Sequence, residues 1–141
     1  MDSRDALMVG TTSDGKPMAR PLSPHLQVYR PQITTVMSIM HRITGVGLGL
    51  GALVLACWLV AAAGSAELFA RVQWFLGSWL GVLLLLGWTA ALAFHFCNGI
   101  RHLWWDTCRG FSIRQVNESG MIALAAAAVL TVLVVLAAIL A

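Results

Sequence analysis

The chain has 141 residues, enough for one domain at most. Hydrophobic residues make up 59% and charged residues 11%, with a mean hydropathy of +0.81, which excludes an ordinary soluble domain and points to an integral membrane protein. The net charge of +3 comes from scattered basic residues, so it carries no nucleic-acid signal, and the six tryptophans beside apolar runs read as interfacial anchors in a lipid bilayer.

Residues 1–19 are polar and contain no apolar run. Asp2, Asp5 and Asp14 argue against a transit peptide, and a flexible N-terminal tail is expected. Residues 20–32 carry Pro21, Pro24 and Pro31, which forbid a regular helix and predict an extended surface segment, with His25 and Tyr29 suited to headgroups.

The first apolar segment covers residues 34–63, and its stretch from Ile43 to Ala63 is 21 residues without a charge. At about 1.5 Å per residue that crosses a bilayer. Gly45, Gly47, Gly49 and Gly51 alternate along it, a spacing that lets helix backbones approach closely in lipid. A short link with Glu67 and Arg71 leads to a second span over residues 72–103, with Trp74 and Trp79 near its start and Trp104 and Trp105 at its far end. A polar loop over 107–120 precedes a third span over 121–141.

Eight of the nine Lys and Arg residues fall in the N-terminal segment, the loop after the second span and the adjoining helix ends; the other loop holds Arg71. The positive-inside rule therefore predicts a cytoplasmic N-terminus. The expected fold is all-α, with three transmembrane helices in a domain covering residues 20–141. Ser38, His41 and Arg42 then share one membrane level with Arg101, His102 and Asp106, and His95 lies deeper.

Ionisable groups at the end of a span are costly, which singles out HFCNGIRHLWWD, residues 95–106. His95 and His102 are seven residues apart and share a helix face, with Asn98 and Gly99 beside His95. Gly99 leaves room for a flat bulky group, and a heme held by neutral imidazole between helices is one. The arginines would then face its propionates. The alternative is a histidine hydrogen-bonded to a neighbouring helix. A bis-histidine heme needs a second deep histidine, and His25, His41 and His102 do not supply it. Ser38 and Arg42, at i and i+4, present a hydroxyl and a guanidinium together, suited to a quinone carbonyl. An arginine snorkelling to phosphates with a serine capping the helix is the alternative. Asp106, the acid near this cluster, is placed to fix Arg42 or Arg101 or to deliver protons; a solvated helix-end carboxylate is the plain alternative. Cys57, Cys97 and Cys108 lack metal or disulfide spacing. With no nucleophile–base pair or phosphate loop, the chain is not expected to be an enzyme by itself.

Two stretches, RPLSPHLQVYRPQITTVMSIMHRITG at 20–45 and HFCNGIRHLWWD at 95–106, resemble the cytochrome b subunit of succinate dehydrogenase, respiratory complex II. The resemblance implies a membrane anchor that helps pass electrons to ubiquinone. It works beside a second small anchor subunit, an iron–sulfur subunit and a flavoprotein subunit, in a bacterial inner membrane rather than a mitochondrial one. It implies that His95 is an axial ligand of heme b and that the companion anchor supplies the other ligand, completing the heme-binding bundle. It also implies that Ser38 and Arg42 belong to the quinone site and that His41 and Arg42 lie near the heme propionates. His102, Asp106 and Arg101 are expected as supporting residues. A fumarate reductase anchor and a heme-free structural anchor are the rival expectations.

Overall fold

The computed structural model describes residues 9–19 and 30–141, in two units taken separately below. Residues 20–29, with most of the proline-rich segment, His25 and Tyr29, lie outside the described residues, as do residues 1–8.

Within the stretch expected as a flexible tail, residues 9–19 form a two-stranded hairpin. β1 (Val9–Thr11) pairs antiparallel with β2 (Pro17–Ala19), Gly10 opposite Met18. The Thr12 carbonyl accepts from the Gly15 N–H at 2.9 Å, and Gly15 takes a φ of 76°. Asp14-Gly15 is a hairpin signal because glycine enters the left-handed region without steric cost. The Thr12 N–H donates to the Lys16 carbonyl at 2.9 Å and closes the loop.

The second unit has four helices among the described residues: α1 (Ile33–Gly64), α2 (Ala66–Leu76), α3 (Trp79–Asp106) and α4 (Ile113–Leu140). Three of them, α1, α3 and α4, are long and apolar enough to cross a membrane. α1 starts directly after Pro31, with Gln32 extended at the N-cap and making no side-chain cap bond. It ends at Ser65, whose extended backbone breaks the helix and whose Oγ accepts from the Leu68 N–H at 3.2 Å. Ser65 thus closes one helix and caps the next.

The span expected over 72–103 is two elements. α2 is a separate short helix with Glu67 in its first turn, where a carboxylate favours the helix dipole, paired with Arg71 on its exposed surface. It is tied to α1 by the Trp58 indole, which donates to Gln73 Oε1 at 3.1 Å, with the Phe69 ring 5.8 Å from the Trp58 ring. The break falls at Gly77-Ser78. Ser78 Oγ donates to the Phe75 carbonyl at 2.6 Å and accepts from the Gly81 N–H at 3.2 Å, starting α3. A side chain at position 81 would put a Cβ 2.3 Å from the Phe75 carbonyl oxygen, so the tight junction requires glycine there.

The polar loop expected over 107–120 is also shorter. Ser112 accepts from the Gln115 N–H at 3.3 Å and starts α4 eight residues before position 121. Arg114 and Glu118, paired at 2.7 Å, lie along that added helical surface. Cap and i,i+4 pair together make a polar sequence helical beyond its apolar run.

Little of the unit is buried. Its apolar core is Met37, Ala61, Ala93, Ala123 and Ala127, while valines and leucines throughout the three long helices face outward. This is how helices pack in lipid, where small residues bring backbones close and large ones meet acyl chains or other subunits.

Candidate functional site

Two contacts set how α1 faces α3. Thr44 Oγ1 lies 3.2 Å from His95 Nδ1. Seven residues further along α1 and seven back along α3, Gly51 lies so close to Trp88 that an added Cβ would be 2.1 Å from the indole nitrogen. The helices are therefore antiparallel in constant register, two turns separating the contacts. Gly45 is the second close approach, since its Cβ would stand 3.1 Å from His95 Cε1. Gly47 and Gly49, on the same alternating pattern, meet open space.

The register brings three histidines together. His41 of α1 stacks on His95, with ring centroids 3.8 Å apart and planes 11° off parallel. On its other side His41 is 5.1 Å from the His102 ring, so one imidazole of α1 sits between two of α3. Asn98, fully buried, links His102 to Arg101: its Nδ2 is 3.4 Å from His102 Nε2, and its Oδ1 accepts from Arg101 Nη1 at 3.5 Å. An arginine can only donate, so the amide oxygen faces it and the amide nitrogen faces the histidine.

His95 carries the decisive proton arrangement. Its Nδ1 lies 3.1 Å from the His41 carbonyl, a group that only accepts. Nδ1 therefore holds the proton and Nε2 keeps the in-plane lone pair, without a hydrogen bond among the described residues. Stacking on His41 uses the ring face and leaves that lone pair clear. His95 is thus bonded to a neighbouring helix through Nδ1, while its Nε2 has no hydrogen bond among the described residues. Two further features suit a bound heme: His41 Nδ1 is buried without a partner, and a Cβ on Gly99 would meet open space. Among the described residues no group of three or more His, Cys, Asp or Glu could hold a metal ion. The three cysteines are free.

Arg101, expected as a supporting residue, is engaged within the fold. It is buried, its Nε donates to Ser119 Oγ at 3.0 Å and its Nη2 to the Val116 carbonyl at 2.9 Å, and its guanidinium lies 3.9 Å from the Trp105 ring centroid. The fork is bonded to α4 and to Asn98 and makes no ion pair with Asp106 among the described residues. Ser38 is half-buried within α1, six residues past Gln32, so it does not cap the helix. Arg42 is exposed, and neither Ser38 nor Arg42 has a hydrogen bond or ion pair among the described residues. Asp106 is the exposed last residue of α3, again with no ion pair among the described residues.

These residues fall within the part of the chain that a family model matches. The chain matches the family model of the succinate dehydrogenase/fumarate reductase transmembrane subunit over residues 16–134. The chain belongs to this family. It is 46% identical over 114 residues to the succinate dehydrogenase cytochrome b556 subunit of Paracoccus denitrificans, covering 81% of this chain and 88% of that one. The corresponding subunit of Rickettsia typhi is 39% identical over 114 residues, with 81% and 89% covered. The succinate dehydrogenase cytochrome b560 subunit of Marchantia polymorpha is 40% identical over 121 residues, with 81% and 87% covered. With its three spans, the family member described here is a multi-pass inner-membrane protein of bacterial type.

Thr44, Asn98 and Ser119 make hydrogen-bond contacts to the cluster and are not among the site residues expected from the sequence. Thr44 was within reach: it follows His41 by three residues on the helix that carries Ser38 and Arg42. Ser119 was not, because it sits where a loop was expected.

Proposed function

We propose that the chain is the heme b-bearing membrane anchor of a succinate:quinone oxidoreductase. The observation that carries this is His95 Nδ1 lying 3.1 Å from the His41 carbonyl, which places the Nδ1 proton there and leaves Nε2 available as a ligand nitrogen between helices. A heme b bound there would supply one-electron transfer between the iron–sulfur subunit and quinone. His95 would hold the heme from this chain, and a residue of the companion anchor would hold it from the other, since His41 is engaged in stacking on His95 and lies beside His102. His41, with its buried Nδ1 unpartnered, and Arg42 are the groups of this chain that would hold the propionates, and His102 would support them through Asn98.

Ser38 and Arg42 form the donor pair of the ubiquinone site. The hydroxyl and guanidinium lie one turn apart near the start of α1 and have no competing partner among the described residues. A fixed cation there favours the charge that develops on a carbonyl oxygen as it is reduced. Asp106, exposed at the C-terminus of α3, is the group placed to exchange protons with water. A carboxylate at a helix C-terminus opposes the dipole, so helix stability does not explain its presence. The positive-inside rule puts this end of the bundle in the cytoplasm, where the iron–sulfur and flavoprotein subunits dock. The relatives described above are named for succinate dehydrogenase, which favours that direction over fumarate reduction.

His95→Ala tests the assignment in the assembled complex. Loss or weakening of the low-spin heme spectrum is expected, and an unchanged spectrum rules His95 out as ligand. A wild-type complex without a heme spectrum would identify a purely structural anchor.

A further inference from the structure

We propose that Thr44 is the positioning residue of His95, fixing which imidazole nitrogen faces the heme and how basic it is; this rests on the reading of His95 as an axial ligand. The hydroxyl of Thr44 has one proton, and it points into its own helix: Oγ1 is 2.8 Å from the Met40 carbonyl and 3.0 Å from the His41 carbonyl. Both are acceptors, so the proton is consumed there and the side of Oγ1 facing His95 is a lone pair. At 3.2 Å from Nδ1 it can only accept.

Nδ1 therefore donates a shared hydrogen bond to two oxygens of α1, the His41 carbonyl and Thr44 Oγ1. Neither oxygen tolerates the other tautomer, in which Nδ1 would present a lone pair to them. Thr44 is 8% exposed, so water does not replace it as the second acceptor. Gly45, next along α1, brings its backbone against the same ring and leaves the imidazole little freedom to swing away.

The chemical consequence concerns the ligand's electron donation. An acceptor on the distal N–H of a ligating imidazole makes the ligating nitrogen more basic and favours the oxidised iron. Thr44 thus couples the start of α1, which carries Ser38 and Arg42, to the potential of the group that His95 holds. The threonine methyl and β-branch hold the rotamer; the hydroxyl supplies the bond.

The test compares Thr44→Val, Thr44→Ala and Thr44→Ser in the assembled complex, by heme content, reduced-minus-oxidised spectrum and potentiometric titration. Val keeps the shape without the acceptor, Ala removes both without a clash, and Ser keeps the acceptor. In Val and Ala the heme midpoint potential should move in the positive direction relative to wild type. Heme should also be held more weakly, by roughly tenfold or more as for other lost partners of a ligating histidine. Ser should return both towards wild type. Val and Ala with wild-type potential and heme retention, or Ser displaced as far as Val, would overturn the proposal. If Val does not assemble, the Ala–Ser comparison decides. Failure of the underlying reading looks different: His95→Ala would then keep its heme while the Thr44 variants stay silent.

Discussion

Arg101 of α3 donates to the backbone carbonyl of Val116 in α4 at 2.9 Å, making a buried cation the fastener between the second and third long helices. The bond reaches across a turn that includes Cys108 at a φ of 58° and Gly110 at 82°. The guanidinium plane also covers the Trp105 ring, and each of its three nitrogens has an oxygen partner. Lysine has neither the planar fork nor the stacking face. Arg101→Lys should therefore lower the thermal stability of the purified complex by about 1–3 kcal/mol, the cost of leaving buried acceptors unmade. Its heme spectrum and quinone kinetics, once assembled, should match wild type. Thermal unfolding in detergent, followed by spectra on the folded fraction, checks both parts.

Arg42 behaves in the opposite way because it contributes no fold contact among the described residues. Arg42→Ala should assemble normally and reduce quinone poorly. A charged hydrogen bond to the substrate oxygen is worth about 1.5–3 kcal/mol, so quinone reduction should fall roughly tenfold to a hundredfold. Succinate oxidation with an artificial acceptor should largely survive. Ser38→Ala should show the same pattern with a smaller loss, as befits a neutral donor. Parallel loss of both activities in Arg42→Ala would indicate an assembly defect.

Gly45 and Gly51 separate packing from chemistry along one helix. A methyl at position 45 would press on His95 Cε1, whereas one at position 51 would press on the Trp88 indole. Gly45→Ala should shift the heme spectrum. Gly51→Ala should leave it unchanged and destabilise the complex by about 1–3 kcal/mol through overpacking. Absorption spectra and thermal unfolding of the two variants should diverge in that sense.

Asp106→Asn removes a negative charge from a helix C-terminus. Stability should rise by about 0.3–1 kcal/mol, because the carboxylate opposes the helix dipole. If the carboxylate exchanges protons at the quinone site, quinone reduction should slow in the same variant. A variant both more stable and slower would mark Asp106 as kept for turnover; thermal unfolding and steady-state quinone assays on one preparation test it.

Composition and periodicity were enough to determine the three-helix membrane character of this chain, since runs of uncharged residues near twenty long leave a polypeptide few other stable states. Local signals also carried more than was read from them. Gly77-Ser78 marks the stop and start that divide α2 from α3, Ser112 marks the start of α4, and Asp14-Gly15 marks the hairpin. The motif residues around His41 and His95 stood out because ionisable groups are rare in apolar helices.

What they do to one another was decided only by the tertiary structure. Spacing placed His95 and His102 on one face of α3, but nothing local to either helix says that His41 inserts between their rings or that Thr44 faces Nδ1. Nor does it say that Arg101 turns to α4 instead of Asp106. Those outcomes depend on the antiparallel register, which is set where glycine backbones let α1 and α3 approach, at Gly45 against His95 and Gly51 against Trp88. A helical repeat fixes which residues share a face; which faces meet, and at what depth, follows from packing between distant segments.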